Sequence, residues 1–426
     1  MCVRYIVLKP KNFFLLLSQT PITSPNPRKE PGVSEFALIA GLEAWVRGAT
    51  LATYPLLMYR AWNDAVVISK LYLMVGVLSL LAALAVPPLA RRLQRRGVYA
   101  CGLGLYVASA ALGMLGGKWV TLALMCNTLA AAVSFVCFNA YVLDHVAKPD
   151  FARLESLRMF YGTFGWVAGP FLGVQLLPFW QGAPFLIAGL GAMAILFFLW
   201  RIRLGNGRDM VRHHRASHPR VYLIRFFRQP RLIAGWLFAV IRSCGWWFYF
   251  VYLGIFAVQN GLGEGVGGIA TSLANMGLVA APLLYRWVQR TSLRRALRVG
   301  FLCSGVCFIL ASVFSTLPWA TIALLVMGSY CLVLLDVCAG LPFLMSVKPS
   351  ERTEMSAVYS SFRDVSGILS PALAWAVLQY SPVAGVFAAA GTLLVLAWVL
   401  SGQLHPQLGV PGALRVRAKP FNSLQR

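Results

Sequence analysis

Twelve apolar stretches, each long enough to cross a bilayer, are separated by gaps that alternate between strongly basic and almost uncharged. A helix needs roughly 20 apolar residues to cross about 30 Å of hydrocarbon. The stretches near 35–60, 65–89, 97–117, 119–147, 152–178, 183–203, 231–258, 263–288, 297–316, 318–346, 354–380 and 382–403 meet that length; we number them as spans one to twelve. All but six of the 38 Lys and Arg residues fall in the gaps 1–32, 91–96, 148–158, 201–231, 286–298, 348–352 and 405–426. The intervening gaps hold only Arg60 and Lys118. Cytoplasmic loops retain Lys and Arg, whereas short loops that cross the membrane are depleted in them. The alternation predicts an all-α membrane protein of twelve helices with both ends in the cytoplasm. Trp62, Trp119, Trp180, Trp200, Trp287 and Trp319 fall at predicted ends, where indole rings favour the headgroup region.

Composition excludes the soluble classes. The chain is 59% apolar and 12% charged, outside the range of soluble domains. Its formal charge of +25 is cut into short loops and forms no continuous basic face for nucleic acid. Residues 1–32 are rich in Pro, lack an adequate signal-peptide core and read as a disordered cytoplasmic tail.

The chain repeats itself. Leu38-Ile39-Ala40-Gly41 opens span one and Leu232-Ile233-Ala234-Gly235 opens span seven. Pro88-Leu89 before Arg91-Arg92 has a counterpart in Pro282-Leu283 before Arg286. Lys148-Pro149 matches Lys348-Pro349, and Gly169-Pro170 matches Ser370-Pro371. Four pairs in chain order at nearly constant offset predict two pseudo-symmetric six-helix bundles, 33–203 and 231–404. They are joined by a basic cytoplasmic linker at 204–230 and followed by a tail at 405–426. Duplicated halves place a binding site at their interface near the bilayer midplane.

These residues resemble the major facilitator superfamily across about 33–404. The family's loop motif between helices two and three, roughly Gly-x-Leu-Ala-Asp-Arg-x-Gly-Arg-Arg, reads here Pro87-Pro88-Leu89-Ala90-Arg91-Arg92-Leu93-Gln94-Arg95-Arg96. The acid and both glycines are replaced, and the second copy, Ala281-Pro282-Leu283-Leu284-Tyr285-Arg286, also lacks the acid. Gly165 to Gly173 resembles the Gly-Pro motif of the superfamily's drug–proton antiporters, with Ser156 and Val174 in place of two of its glycines. The resemblance implies alternating access, with Arg92, Arg286, Gly169 and Pro170 as conformational-gate residues. Glycines at four-residue spacing also serve simply for close helix packing.

Charges inside the apolar stretches mark the candidate site. Arg47, Lys70, Arg242 and Arg363, with Glu43, Asp144, Asp336 and Asp364, lie in spans one, two, four, seven, ten and eleven. Each costs on the order of 2.5–3.5 kcal/mol at the bilayer centre unless paired or wetted. Lys70 and Asp144 lie near span ends and reach headgroups or water. Arg47 and Arg242 occupy nearly equivalent repeat positions and together make a fork suited to an anionic group, an arrangement similar to the superfamily's organophosphate–phosphate antiporters. Glu43, one turn before Arg47, is an alternative partner for it. Trp246 and Tyr249 share a helical face with Arg242. Arg47, Arg242, Arg363, Trp246 and Tyr249 are therefore the substrate-binding candidates. Asp336 and Asp364, which lack an obvious local mate, are the proton-coupling candidates together with Glu43.

Other signals do not survive. Gly261 to Gly268 has no Lys-Ser/Thr and no preceding strand, so it is not a phosphate loop. The five histidines are too few for a di-iron box, and the nine cysteines form no CxxC pair. We expect no catalytic residues, no metal and no cofactor. The expectation is a monomeric, proton-coupled transporter of a small organic solute in the bacterial inner membrane, with an anionic metabolite as the main sub-reading. The alternatives are a broad-specificity drug exporter and a transporter-like sensor or assembly protein without turnover.

Overall fold

The computed structural model describes residues 32–146, 150–202, 219–338, 341–347, 355 and 358–403. Most of the two tails and the first part of the linker lie outside the described residues, as does the Asp144 side chain. Span one is Val33–Leu51 with Thr53–Trp62, span two Ala65–Leu93, span three Arg95–Leu115 and span four Trp119–His145. Phe151–Gln175 and Ala183–Ile202 are spans five and six, and Pro230–Gln259 is span seven. Span eight is Gly265–Met276 with Ala281–Arg290, span nine Leu293–Val313, and span ten Pro318–Cys338 with Leu341–Ser346. Phe362–Leu378 and Val383–Ser401 are spans eleven and twelve. Spans one and twelve begin and end on one face, the termini face, as an even number of crossings requires.

Among the described residues, nine helices combine length and apolarity enough to cross a membrane by themselves. Spans one, five and eleven fall short for visible reasons. Span one carries Glu35, Glu43 and Arg47, span five is diluted by Gly and by Arg153, Glu155 and Arg158, and Phe362–Leu378 is only 17 residues long. They also bring charge to the interior, as spans seven and ten do with Arg242 and Asp336.

Local chemistry sets the breaks. Pro55 has no N–H for the Leu51 carbonyl, so span one is interrupted at Ala52. Pro282 does the same in span eight, where Gly277–Ala280 tightens into a 3-10 turn. The Asp64 side chain accepts from the Val66 N–H at 2.7 Å and caps span two. One sequence expectation needs correction. The basic gap at 91–96 is not a loop: helix continues to Leu93 and resumes at Arg95, leaving Gln94 as the whole turn. The basic linker contains a helix at Pro219–Phe227, held because Phe226 is buried with Leu232, Phe343, Val347 and Met355.

Within the first half, spans one and five meet backbone to backbone. A Cβ on Gly165 would stand 2.5 Å from the Trp45 nitrogen, on Gly169 2.5 Å from the Gly48 carbonyl carbon, and on Gly173 2.0 Å from the Ala49 oxygen. Such small-residue seams let membrane helices gain dispersion energy at close range. The halves meet along two further seams. A Cβ on Gly76 of span two would lie 2.6 Å from the Gly367 oxygen of span eleven. On Gly268 of span eight it would lie 2.8 Å from the Pro170 oxygen of span five.

Among the described residues, the contacts that close the cleft between the halves gather towards one side. Towards the face opposite the termini, Tyr54, Leu57, Ile68 and Tyr72 share a buried core with Tyr252 and Phe256. There Arg60 donates through two guanidinium nitrogens to Glu264, the Gln259 amide donates to the Tyr59 hydroxyl at 3.1 Å, and the Ser69 and Tyr252 hydroxyls bond at 2.6 Å. Towards the termini face the cores are separate among the described residues: Phe36, Val98, Tyr99, Phe138 and Leu154 in one half, and the Phe226 group in the other.

Gln94 carries φ 67° and ψ 138°, a region where side chains cost roughly 1–3 kcal/mol. Gln94→Gly should therefore stabilise the protein by about 1 kcal/mol, after allowing for the extra freedom of Gly in the unfolded chain. Chemical unfolding in detergent measures this, and a destabilised Gln94→Gly variant would show that the turn is not strained.

Candidate functional site

Four arginines converge on the cleft from both halves: Arg47 of span one, Arg158 of span five, Arg242 of span seven and Arg363 of span eleven. Arg363 lies within electrostatic reach of the other three. Each guanidinium rests on an aromatic ring. Arg47 stands 5.4 Å from the Trp166 ring centre, Arg158 5.7 Å from Phe138, Arg242 5.3 Å from Phe362 and Arg363 4.4 Å from Phe135. The ring quadrupole attracts the cation and replaces part of the water it has lost.

The carboxylates are distributed unevenly. Arg242 Nη1 is 2.8 Å from Asp336 Oδ1, and the Trp246 indole N–H donates to Asp336 Oδ2 at 2.9 Å. Asp336 therefore has a local mate after all, from a helix 94 positions away in the chain. Glu43 sits in the field of Arg47 and Arg158 and beside the Tyr106 hydroxyl. Glu155 reaches Arg158 at 3.8 Å. Asp364 feels Arg363, its chain neighbour, but they form no ion pair. Among the described residues no carboxylate lies within ion-pair distance of Arg363, whose side chain is exposed to the cleft.

The fork expected of Arg47 and Arg242 is not a simple pair: Arg242 is bound to Asp336, and Arg363 lies within electrostatic reach of both. Trp246 does border this site, stacked on Phe250 at 5.0 Å. Tyr249 does not. It is fully buried, and its hydroxyl donates to the Ala270 oxygen at 2.7 Å, tying span seven to span eight. It lies two turns beyond Arg242 on the same helix. Arg92 and Arg286 are exposed, with no carboxylate partner among the described residues. Gly169 and Pro170 serve the seams described above.

Arg158 escaped the sequence reading because it was assigned to a basic gap. The helix begins at Phe151, so Arg158 lies two turns inside it. The i,i+3 spacing of Glu155 and Arg158 was the available signal.

The profile of the Major Facilitator Superfamily matches residues 36–371. The chain belongs to that superfamily. Its fold is shared with the nucleoside transporter NupG, solved as a D323A mutant, at TM-score 0.68 and 15% identity, covering 87% of this chain and 100% of that one. It is also similar to a POT family transporter in complex with 5-aminolevulinic acid (TM-score 0.67, 15% identity, 87% of this chain and 95% of that one). A POT family transporter in complex with a thioalcohol-conjugated peptide gives TM-score 0.66 at 13% identity, with 87% and 95% covered. No curated protein matches the chain in sequence.

Removing Asp336 strands the Arg242 charge, and breaking a buried pair costs about 3–5 kcal/mol. With the two side chains 14% and 29% exposed, Asp336→Ala should lower stability by roughly 2–3 kcal/mol. The double variant Arg242→Met/Asp336→Leu should recover most of this, because neither charge is then left alone. Thermal or chemical unfolding of both variants decides it. Equal losses in the single and double variants would mean the pair is not coupled.

Proposed function

We propose that this superfamily member is a secondary transporter that moves a small organic anion by alternating access, coupled to protons. The carrying observation is the convergence of Arg47, Arg158, Arg242 and Arg363 from both halves on one cleft inside the membrane. Such a concentration of cation is costly in hydrocarbon and becomes favourable when an anion enters.

The alternation of basic loops supports a termini face on the cytoplasmic side, and the arrangement described is then inward-open. The expected setting is a bacterial inner membrane, with the protein acting as a monomer. The far-face contacts Arg60–Glu264 and Tyr59–Gln259 would part in the outward-open state. They take over the latching that the degenerate loop motifs, with exposed Arg92 and Arg286, do not supply in this state.

Asp336 is the preferred proton site, with Glu43 second and Asp364 third. An anion that competes for Arg242 frees the Asp336 carboxylate, and a desolvated carboxylate without its cation takes up a proton. Proton and substrate thus bind to the same ion pair.

Proteoliposomes loaded at one pH and diluted into another, challenged with a panel of anionic and neutral metabolites, test this directly. Anions should accumulate and neutral solutes should not. Asp336→Asn should abolish accumulation driven by the pH difference while leaving counterflow exchange largely intact. Asp336→Asn, Glu43→Gln and Asp364→Asn variants that all accumulate normally would remove proton coupling from these carboxylates. A protein that moves no solute under any gradient would overturn transport itself.

A further inference from the structure

One line of contacts crosses the cleft, and it alternates rings with charges. Phe135 of span four lies under Arg363 at 4.4 Å. Phe362 stands between Arg363 and Arg242, 5.7 Å from one guanidinium and 5.3 Å from the other. Arg242 then meets Asp336, which accepts from Trp246, and Trp246 stacks on Phe250.

Guanidinium has two chemically distinct surfaces. Its faces stack on rings, while its N–H donors point outward in the plane in a fork that fits a carboxylate. Phe135 and Phe362 lie beside the Arg363 guanidinium at 4.4 and 5.7 Å, and rings stacked on its faces leave its edge for a ligand. That edge meets no carboxylate within ion-pair distance among the described residues. The Arg242 Nε is a second donor without a hydrogen-bond partner, and it is buried. Leaving buried donors unmade costs more than an average hydrogen bond contributes.

Charge bookkeeping narrows the ligand. Arg47 has Glu43 one turn away, Arg158 has Glu155 and Arg242 has Asp336. Asp364 stands beside Arg363 in the chain without pairing with it, so four carboxylates face the four arginines; once the proton of the reading above occupies Asp336, one negative charge completes the set. A doubly charged group would bring a second charge into the field of Glu43.

We infer that Arg363 is the specificity-determining anchor of the cleft and that the site takes an aromatic monocarboxylate. The carboxylate meets the edge of Arg363, and the flat body of the ligand enters the ladder against Phe135 and Phe362. This rests on the organic-anion reading above and assigns to Arg363 the role the Arg47–Arg242 fork was expected to fill.

Ligand-induced shifts in unfolding midpoint of the purified full chain test it with three probes. Benzoate has the charge and the ring, cyclohexanecarboxylate has the charge alone, and phenyl phosphate has the ring with up to two charges. Benzoate should stabilise the wild-type chain most. Arg363→Lys keeps the charge but loses the planar fork, and it should weaken benzoate binding by about tenfold or more without lowering the ligand-free midpoint. Phe135→Leu should abolish the preference for benzoate over cyclohexanecarboxylate while still binding both.

Unchanged benzoate binding in Arg363→Lys would overturn the anchor, as would cyclohexanecarboxylate matching benzoate on the wild-type chain. Phenyl phosphate binding most tightly would overturn the single-charge assignment and leave the organic-anion reading standing. Failure of all three probes, with neutral solutes accumulating in the liposomes, would remove both.

Discussion

The contact between spans one and five holds the site in place. Gly165, Gly169 and Gly173 present bare backbone to Ala44, Trp45, Gly48 and Ala49, and no Cβ fits between them. Close approach at this seam brings Arg47, the neighbour of Gly48, to the ring of Trp166, the neighbour of Gly165. Glycine is costly in an isolated helix, but here it is what lets two polar helices dock in a medium that gives no hydrophobic drive for association. The seam also carries the Gly-Pro sequence whose Pro170 oxygen faces Gly268 across the halves. One glycine-rich stretch thus positions a cavity arginine on one side and the inter-half contact on the other.

The second half solves the same problem differently. Span seven and span ten are held by an ion pair, Arg242 with Asp336, supported by the Trp246 indole. A charge pair in a cleft is poorer cement than glycine packing, because desolvation consumes much of the Coulomb attraction. It is also easier to open, since an anion or a proton competes for either partner. The second half has a glycine seam too, Gly305 against Gly391 between spans nine and twelve, but its cleft helices seven and ten rely on the exchangeable pair, which gives a duplicated fold two unequal sides. A rocking motion can then be biased by what binds to the weaker one.

Much of the architecture was legible in the sequence, because it follows from solvent. Length and apolarity mark the spans, basic loops order them, and repeated anchors reveal the halves. Membrane-embedded charges were legible as a list: Glu43, Arg47, Arg242, Asp336 and Arg363 all stand at or near the cleft. Their pairing was not. Asp336 meets Arg242 from another helix, and Arg363 meets Phe135 from the other half; no chain spacing encodes either contact. Tyr249 shares Arg242's helical face, yet it is fully buried. Periodicity reports the direction a side chain takes and says nothing of how deep the cleft runs. Arg158 was hidden by the same rule that ordered the spans, since a positive residue near a loop reads as topology.

Each cavity arginine rests on a ring, which bears on how a transporter can keep cations within a membrane between cycles. Pairing every arginine with a carboxylate would neutralise the cleft and leave nothing to attract an anion. Leaving them bare would cost several kcal/mol each. A ring under the guanidinium is an intermediate solution, worth roughly 0.5–2 kcal/mol, that covers the face and keeps the edge available. Arg363 carries this furthest, with Phe135 from one half and Phe362 from its own. Because Phe135 and Arg363 belong to opposite halves, the contact exists only while the two are near each other. A ligand that enters between them changes both the charge balance of the cleft and the contact across it, so recognition and movement act through the same side chain.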